Sequence, residues 1–321
     1  MLNWNRRGRI FNPVNRYSWM KAYSQVPTIL EKEDKLRIYF TTRGEPDATG
    51  KFISNTTFID VKKDDPFDTL YIHDSPVMEL GEVGTFDQFG IMPGCIIENE
   101  DKVYMYYTGW MRSENVPYIT SIGIAASEDG GSSFYRLGKG PVFGRCLHEP
   151  FLENGPFVIH EEGKWHMWYA SCIEWKKIEE RMEPRYVIMH ATSNDGFNWF
   201  RESQPCIEET VWEDEANGRP FVLKLEDTYH MWFCYRSVTN FREGENSYKI
   251  GYARSNDLRS WIREDYKGGL QNSSLDDQWD SHMTAYPFVF RDGPRLWLFY
   301  NGDYFGKYGF GLAETKLNEN R

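Results

Sequence analysis

A chain of 321 residues with 48 acidic and 37 basic side chains has a formal net charge of −11 at pH 7, which argues against the basic face that a nucleic-acid binder needs. Hydrophobic residues make up 40% and charged residues 26%, an ordinary balance for a globular chain with ample core, and no apolar run is long enough to span a membrane. Five cysteines form no C-x-x-C pair, and the first residues lack the apolar core of a signal peptide, so a cytoplasmic setting without a membrane partner is expected.

The N-terminal stretch Trp4-Asn-Arg-Arg-Gly-Arg-Ile-Phe is similar to the later Trp199-Phe-Arg and Phe134-Tyr-Arg runs. The chain then repeats one unit, four short β-branched and aromatic runs separated by polar turns, which describes an antiparallel meander. Copies open at Val26-Pro-Thr-Ile-Leu, Met92-Pro-Gly-Cys-Ile, Gly155-Pro-Phe-Val-Ile, Arg219-Pro-Phe-Val-Leu and Tyr286-Pro-Phe-Val-Phe, 63 to 67 residues apart. Pro has no N–H and is tolerated where a strand begins. Five copies predict an all-β chain, one domain over residues 1–321, folded as a five-bladed β-propeller of four-stranded antiparallel blades. The fifth copy stops after its third strand, near Leu317. Residues 4–11 are therefore expected to supply its fourth strand, closing the ring without a raw sheet edge.

Insertions follow the second strand of several copies, at 44–51, 111–118, 174–185 and 238–247, whereas Tyr304-Phe-Gly-Lys turns straight back. The charged insertion at 174–185 reads as a solvated loop. Ser127-Glu-Asp-Gly-Gly, Ser193-Asn-Asp-Gly and Ser255-Asn-Asp-Leu are hairpin turns, because Asp and Asn fold the backbone on their own side chains. They resemble the structural Asp-box turn of sialidases. Trp168, Trp232 and Trp297 hold matching second-strand positions, which predicts packing between blades.

Hairpin geometry places the end of each second strand beside the start of the first. Sixteen residues on from the prolines stand Arg43, Gly109, Cys172, Arg236 and Asp303, with Trp110 next to Gly109. These should surround one mouth with the residues ahead of each proline. The candidate ligand-binding set is Gln25, Arg43, Trp110, Asn154, Arg219, Arg236, His282, Tyr286 and Asp303. The candidate catalytic carboxylates are Asp87, Glu153 and Glu215. Arg219 and Arg236 belong to one blade and need an anion, either Asp214 or Glu215 or a ligand. The sequence has no H-E-x-x-H, phosphate loop or G-x-S-x-G, so neither a metal nor a cofactor is expected.

With those residues in place, the chain resembles the five-bladed glycosidase superfamily, which holds glycoside hydrolase families 43, 32, 68 and 130. Gln25-Val-Pro-Thr, Gly84-Thr-Phe-Asp, Tyr107-Thr-Gly-Trp, Ala216-Asn-Gly-Arg-Pro, Trp279-Asp-Ser and Tyr300-Asn-Gly are also similar to propeller proteins encoded with bacterial surface-polysaccharide genes. The resemblance implies a glycoside hydrolase or phosphorylase whose partner is a small-molecule or oligosaccharide ligand. The mouth arginines point to an acidic sugar. The alternative is a catalytically silent sugar-binding module serving polysaccharide assembly. Family 43 carries its carboxylates where this chain has Val26, Gly94 and Asn154. Glycoside cleavage needs a proton donor and a second carboxylate. Either Glu153 is the donor with Asp87 or Glu215 as base, or the site no longer hydrolyses glycosides.

Overall fold

The computed structural model describes residues 1–242, 245–273 and 278–317. Strand β1 (Asn5–Phe11) comes first. The first repeat contributes β2 (Ala22–Glu31), β3 (Lys35–Arg43), β4 (Ser54–Lys62) and β5 (Thr69–Ile72). The second gives β6 (Gly90–Asn99), β7 (Lys102–Arg112), β8 (Tyr118–Ser127) and β9 (Tyr135–Arg136). The third gives β10 (Glu153–Glu161), β11 (Lys164–Ile178), β12 (Arg181–Ser193) and β13 (Trp199–Arg201). The fourth gives β14 (Glu215–Leu225), β15 (Thr228–Ser237), β16 (Lys249–Ser255) and β17 (Ile262–Arg263). The fifth gives β18 (Ala285–Asp292), β19 (Arg295–Asn301) and β20 (Phe310–Lys316).

Each repeat pairs as an antiparallel meander, and β1 pairs with β20, so the fifth group has the order β1-β20-β19-β18. A single parallel bridge, Ser54 to Gly90, joins the first two groups into one sheet. The opening strands touch in succession, β2 with β6, β6 with β10, β10 with β14, β14 with β18 and β18 with β2.

Aromatic residues on the second strands fill the space between groups. Trp168, Trp232 and Trp297 are all buried, and Trp232 donates its indole N–H to the Gly268 carbonyl at 3.0 Å. The Ser-x-Asp turns are structural, with carboxylates occupied by backbone N–H groups: Asp195 accepts from Phe197 and Asn198 at 2.8 and 2.7 Å. Each of two such turns docks on the preceding group. Tyr39 and Tyr106 donate their hydroxyls to the carbonyls of Gly131 and Gly196.

The insertion at 174–185 corrects the expectation of a loop. It continues β11 and β12 as a hairpin with Trp175 opposite Pro184 and Lys176 opposite Glu183. Trp175 and Ile178 pack on the buried cluster around Tyr186 and Val238, which is why the strands extend. Of the insertion at 238–247, residues 243 and 244 lie outside the described residues.

The opening prolines sit in β-bulges. The residue before the proline adopts positive φ in four of the five groups: Val26 (60°), Gly155 (59°), Arg219 (50°) and Tyr286 (57°). Such a conformation is rare for any residue with a Cβ and rarer for a β-branched one. The bulge removes the preceding N–H from the ladder, and a second-strand side chain of the preceding group captures it in three cases. Val26 donates to Asn301 Oδ1 at 2.8 Å, Gly155 to Thr108 Oγ1 at 2.9 Å and Tyr286 to Cys234 Sγ at 2.9 Å. Neighbouring groups are thus hydrogen-bonded at the point where each strand bends.

Strand β1 carries a large share of the contacts of the fifth group. Trp4 meets Trp232 edge-on at 6.3 Å, Arg6 pairs with Asp280 at 2.7 Å, and Phe11 lies between Phe40 and Phe310. A chain starting at Val14 should therefore melt lower by about 10 °C or lose cooperative unfolding. Calorimetric melting of that truncation checks this, and an unchanged transition contradicts it.

Candidate functional site

The bulges aim side chains at one cavity of about 360 Å³, at the small end of the ~300–1,000 Å³ typical of small-molecule sites. Opening strands contribute Gln25, Val26, Asn154, Arg219 and Tyr286, and second-strand ends contribute Arg43, Trp110 and Arg236. The hairpin argument thus brings seven of the nine expected ligand-binding residues together.

Four arginines line this space; Arg242 is ion-paired with Glu183, and the other three are Arg43, Arg219 and Arg236. Arg219 is buried, donates from Nη2 to Thr28 Oγ1 at 3.0 Å, and has no partner for Nε or Nη1. Burial pushes its pKa down to about 10, because removal from water penalises the charged form. Arg236 donates to the carbonyls of Ser237 and Pro184 at 3.0 and 2.9 Å, leaves Nε without a partner, and lies 3.7 Å from the Phe241 ring centre. Burial works against its charge too, but the phenols of Tyr248 and Tyr186 outweigh that and leave its pKa raised. Arg43 bonds Ser54 Oγ at 3.1 Å and lies 4.7 Å from the Tyr23 ring centre, with its pKa lowered by burial. Aromatic faces hold Arg43 and Arg236, whereas Arg219 rests on the Thr28 hydroxyl.

The carboxylates expected beside them are elsewhere. Asp214 accepts from the hydroxyls of Ser237 and Thr239. Glu215 pairs with Arg263 at 2.7 Å and accepts the Val211 N–H, and burial raises its pKa. Asp87 accepts from Tyr107, Thr85 and Arg136, the last at 2.7 Å. Neither Asp87 nor Glu215 lines the cavity, since both are consumed by bonds within their own part of the fold. Glu153 neighbours Asn154, but successive strand residues point to opposite faces. Asn154 reaches the cavity and Glu153 does not. Both Glu153 oxygens are buried without a partner, and burial pushes its pKa up to about 8, with Glu149 adding to the rise.

His282 and Asp303 also stand outside the cavity lining. Asp303 accepts the backbone N–H groups of His282 and Met283, both at 2.8 Å, so it closes a turn and holds the exposed imidazole beside it. Among the described residues no group of three or more His, Cys, Asp or Glu could hold a metal ion, and no helix is long and apolar enough to cross a membrane.

Sequence reasoning missed an aromatic and ionic wall. Tyr118 at the start of β8, Tyr186 within β12 and Tyr248 just ahead of β16, together with Phe241 from an insertion, line the cavity. At the rim Arg242 forms a fork on Glu183 at 3.0 and 2.9 Å. Tyr186 and Tyr248 each stand two residues before the third-strand Ile188 and Ile250; that shared offset was the available signal.

No family model matches the sequence. The "Uncharacterized protein Rv1502" of Mycobacterium tuberculosis is 33% identical over 311 residues, covering 97% of this chain and 98% of that protein. The chain belongs to the Rv1502 family. Solved structures extend the likeness at the level of fold. One glycoside hydrolase has a TM-score of 0.73 at 16% identity, over 98% of this chain and 93% of its own. A thermostable family-43 glycoside hydrolase gives 0.63 at 18%, over 93% and 90%. The β-1,2-mannobiose phosphorylase from Listeria innocua, solved with β-1,2-mannobiose, gives 0.67 at 12%, over 98% and 97%. The expected resemblance to propeller glycosidases is therefore shown for this Rv1502-family fold.

The buried carboxyl of Glu153 makes stability depend on pH. A carboxyl whose pKa rises on folding gives stability that is complete below its unfolded value and lost as pH climbs through the folded one. The Glu153→Gln variant should therefore melt with the wild type near about pH 4 and above it once the pH reaches about 8. Melting curves across this range check the prediction, and a difference that does not vary with pH contradicts it.

Proposed function

We propose that this chain is a single-domain, five-bladed β-propeller, closed by β1, that binds an acidic sugar in its central cavity without cleaving it. The cyclic contacts of the opening strands and the β1–β20 pairing support the ring. Carbohydrate-active neighbours of the same fold support the sugar. Four buried thiols, Cys95, Cys172, Cys206 and Cys234, suit a cytoplasmic working place.

One observation carries the reading: Arg43, Arg219 and Arg236 share a cavity in which no described carboxylate neutralises them. Unpaired buried cations are costly, and a ligand's acid group offsets that cost with paired, charge-assisted hydrogen bonds. Glycoside hydrolysis ordinarily uses two carboxyl groups flanking the bond. The lining carboxylate among the described residues is Glu183, and Arg242 occupies it.

A second reading, glycoside hydrolysis or phosphorolysis with Glu153 as proton donor, has one observation in its favour. A carboxyl raised to about 8 holds its proton at neutral pH, as a general acid must. Its place behind Asn154 opposes this role. Release of reducing sugar or sugar phosphate from an oligosaccharide, abolished by Glu153→Gln, would establish cleavage.

The binding reading is tested by titrating matched neutral and acidic sugars into the wild type and Arg236→Ala. Acidic members should bind preferentially, and the variant should lose roughly 1.5–3 kcal/mol for them while leaving neutral sugars unaffected. Preference for neutral members, unchanged by the substitution, would contradict the reading.

A further inference from the structure

We propose that the acid group held in the cavity is dianionic and that the ligand is a sugar phosphate monoester; this rests on the acidic-sugar reading above. The argument is a charge balance within about 360 Å³. Glu183 and Arg242 cancel in their own fork. Arg43, Arg219 and Arg236 remain, and among the described residues none of them is ion-paired. Asp214 and Glu215, the acids nearest Arg219 in sequence, are bonded to Ser237 and Arg263, and Asp47, close to Arg43 in sequence, pairs with Arg112.

A single carboxylate has two oxygens in one plane and serves one guanidinium fork well. It would leave two further cations facing one another in a site that already disfavours charge. A phosphate monoester carries about −1.5 to −2 near pH 7 and offers three acceptor oxygens around a tetrahedral centre. That shape suits three donors arriving from different strands: β3 for Arg43, β14 for Arg219 and β15 for Arg236. Unpartnered N–H groups are present on two of them, at Nε and Nη1 of Arg219 and Nε of Arg236.

The rest of the cavity suits a neutral hydroxylated body. Gln25 Oε1 and Trp110 Nε1 are buried without partners, one an acceptor for a hydroxyl hydrogen and the other a donor to a hydroxyl oxygen. Both line the same space as the arginines. Inorganic phosphate alone would leave them unused.

The protonation of the ligand separates the two acid classes. The second ionisation of a phosphate monoester lies near pH 6, whereas a uronate is fully ionised well below that. Among the described residues the cavity lining holds no histidine; its ionisable groups are arginines, tyrosines and the paired Glu183. Tyr118 is raised to about 12, and Tyr186 and Tyr286 are raised well above the usual phenol value. Behind the lining, Cys95 and Cys234 beside Arg219 are raised to about 11 and about 12, and Glu153 to about 8. A change in affinity between pH 5 and 7 therefore reports the ligand.

The test is calorimetric titration of the full chain, at pH 5 and 7, with glucose, galactose and mannose. Their 1- and 6-phosphates, the matching uronates and inorganic phosphate complete the panel. At pH 7 a sugar phosphate should bind at least about tenfold more tightly than its neutral parent, its uronate and inorganic phosphate. Its affinity should fall about tenfold at pH 5 as the dianion is protonated. A uronate that binds more tightly, with no pH dependence, overturns the dianion and leaves the acidic-sugar reading standing. Inorganic phosphate binding as tightly as the sugar phosphates overturns the sugar body. Acidic sugars that never exceed their neutral parents overturn both readings.

Discussion

A left-handed residue ahead of the opening proline is the constraint on which the cavity depends. An uninterrupted strand would send alternate side chains to its two faces and keep every N–H in the ladder. The bulge breaks that pattern. It turns Val26, Arg219 and Tyr286 inward at φ values near 50–60°, conformations that cost of order 1–3 kcal/mol for residues with a Cβ. The surrounding structure offsets that strain with hydrogen bonds from the neighbouring repeat, as when Asn301 accepts the Val26 N–H while donating to the carbonyls of Ser24 and Gly309. The same contacts that join one repeat to the next therefore shape the site.

The charge distribution follows a similar division. The chain as a whole is acidic, and most of its buried acids are spent on structure: Asp60 on Arg37, Asp87 on Arg136, Glu215 on Arg263 and Asp280 on Arg6. The three cavity arginines are left outside that network. Aromatic faces hold Arg43 and Arg236, backbone carbonyls accept from Arg236, and hydroxyls of Ser54 and Thr28 accept from Arg43 and Arg219; none of these supplies a counter-charge. On the proposed reading such a site would work locally, against the long-range field of an acidic protein, which is the reason for proposing a ligand with concentrated negative charge.

Much of this was legible in the sequence because the prolines mark a backbone event. Counting from them placed Arg43, Trp110, Arg219 and Arg236 correctly around one cavity. The same count put Asp303 there as well, but the chain turns immediately after β19, and its carboxylate is bound by the N–H groups of His282 and Met283. Glu153 stands outside the cavity lining for a different reason: adjacent strand residues face opposite ways, and the bulge decides that Asn154 is the one that points inward. The tyrosine wall escaped because insertions of different length separate Tyr118, Tyr186 and Tyr248 from the prolines. Charged residues in the insertion at 174–185 suggested a loop, yet Trp175 and Ile178 had apolar surface to cover, and packing overrode composition.

The central claim is that the three arginines act together on one anionic group. A crystal structure of the chain with a bound sugar phosphate tests it most directly. The account predicts phosphoryl oxygens within hydrogen-bond reach of Arg43, Arg219 and Arg236, with the sugar against Trp110 and Gln25. A phosphoryl group bound instead in the open groove between the insertions at 174–185 and 238–247, with the arginines untouched, would contradict it.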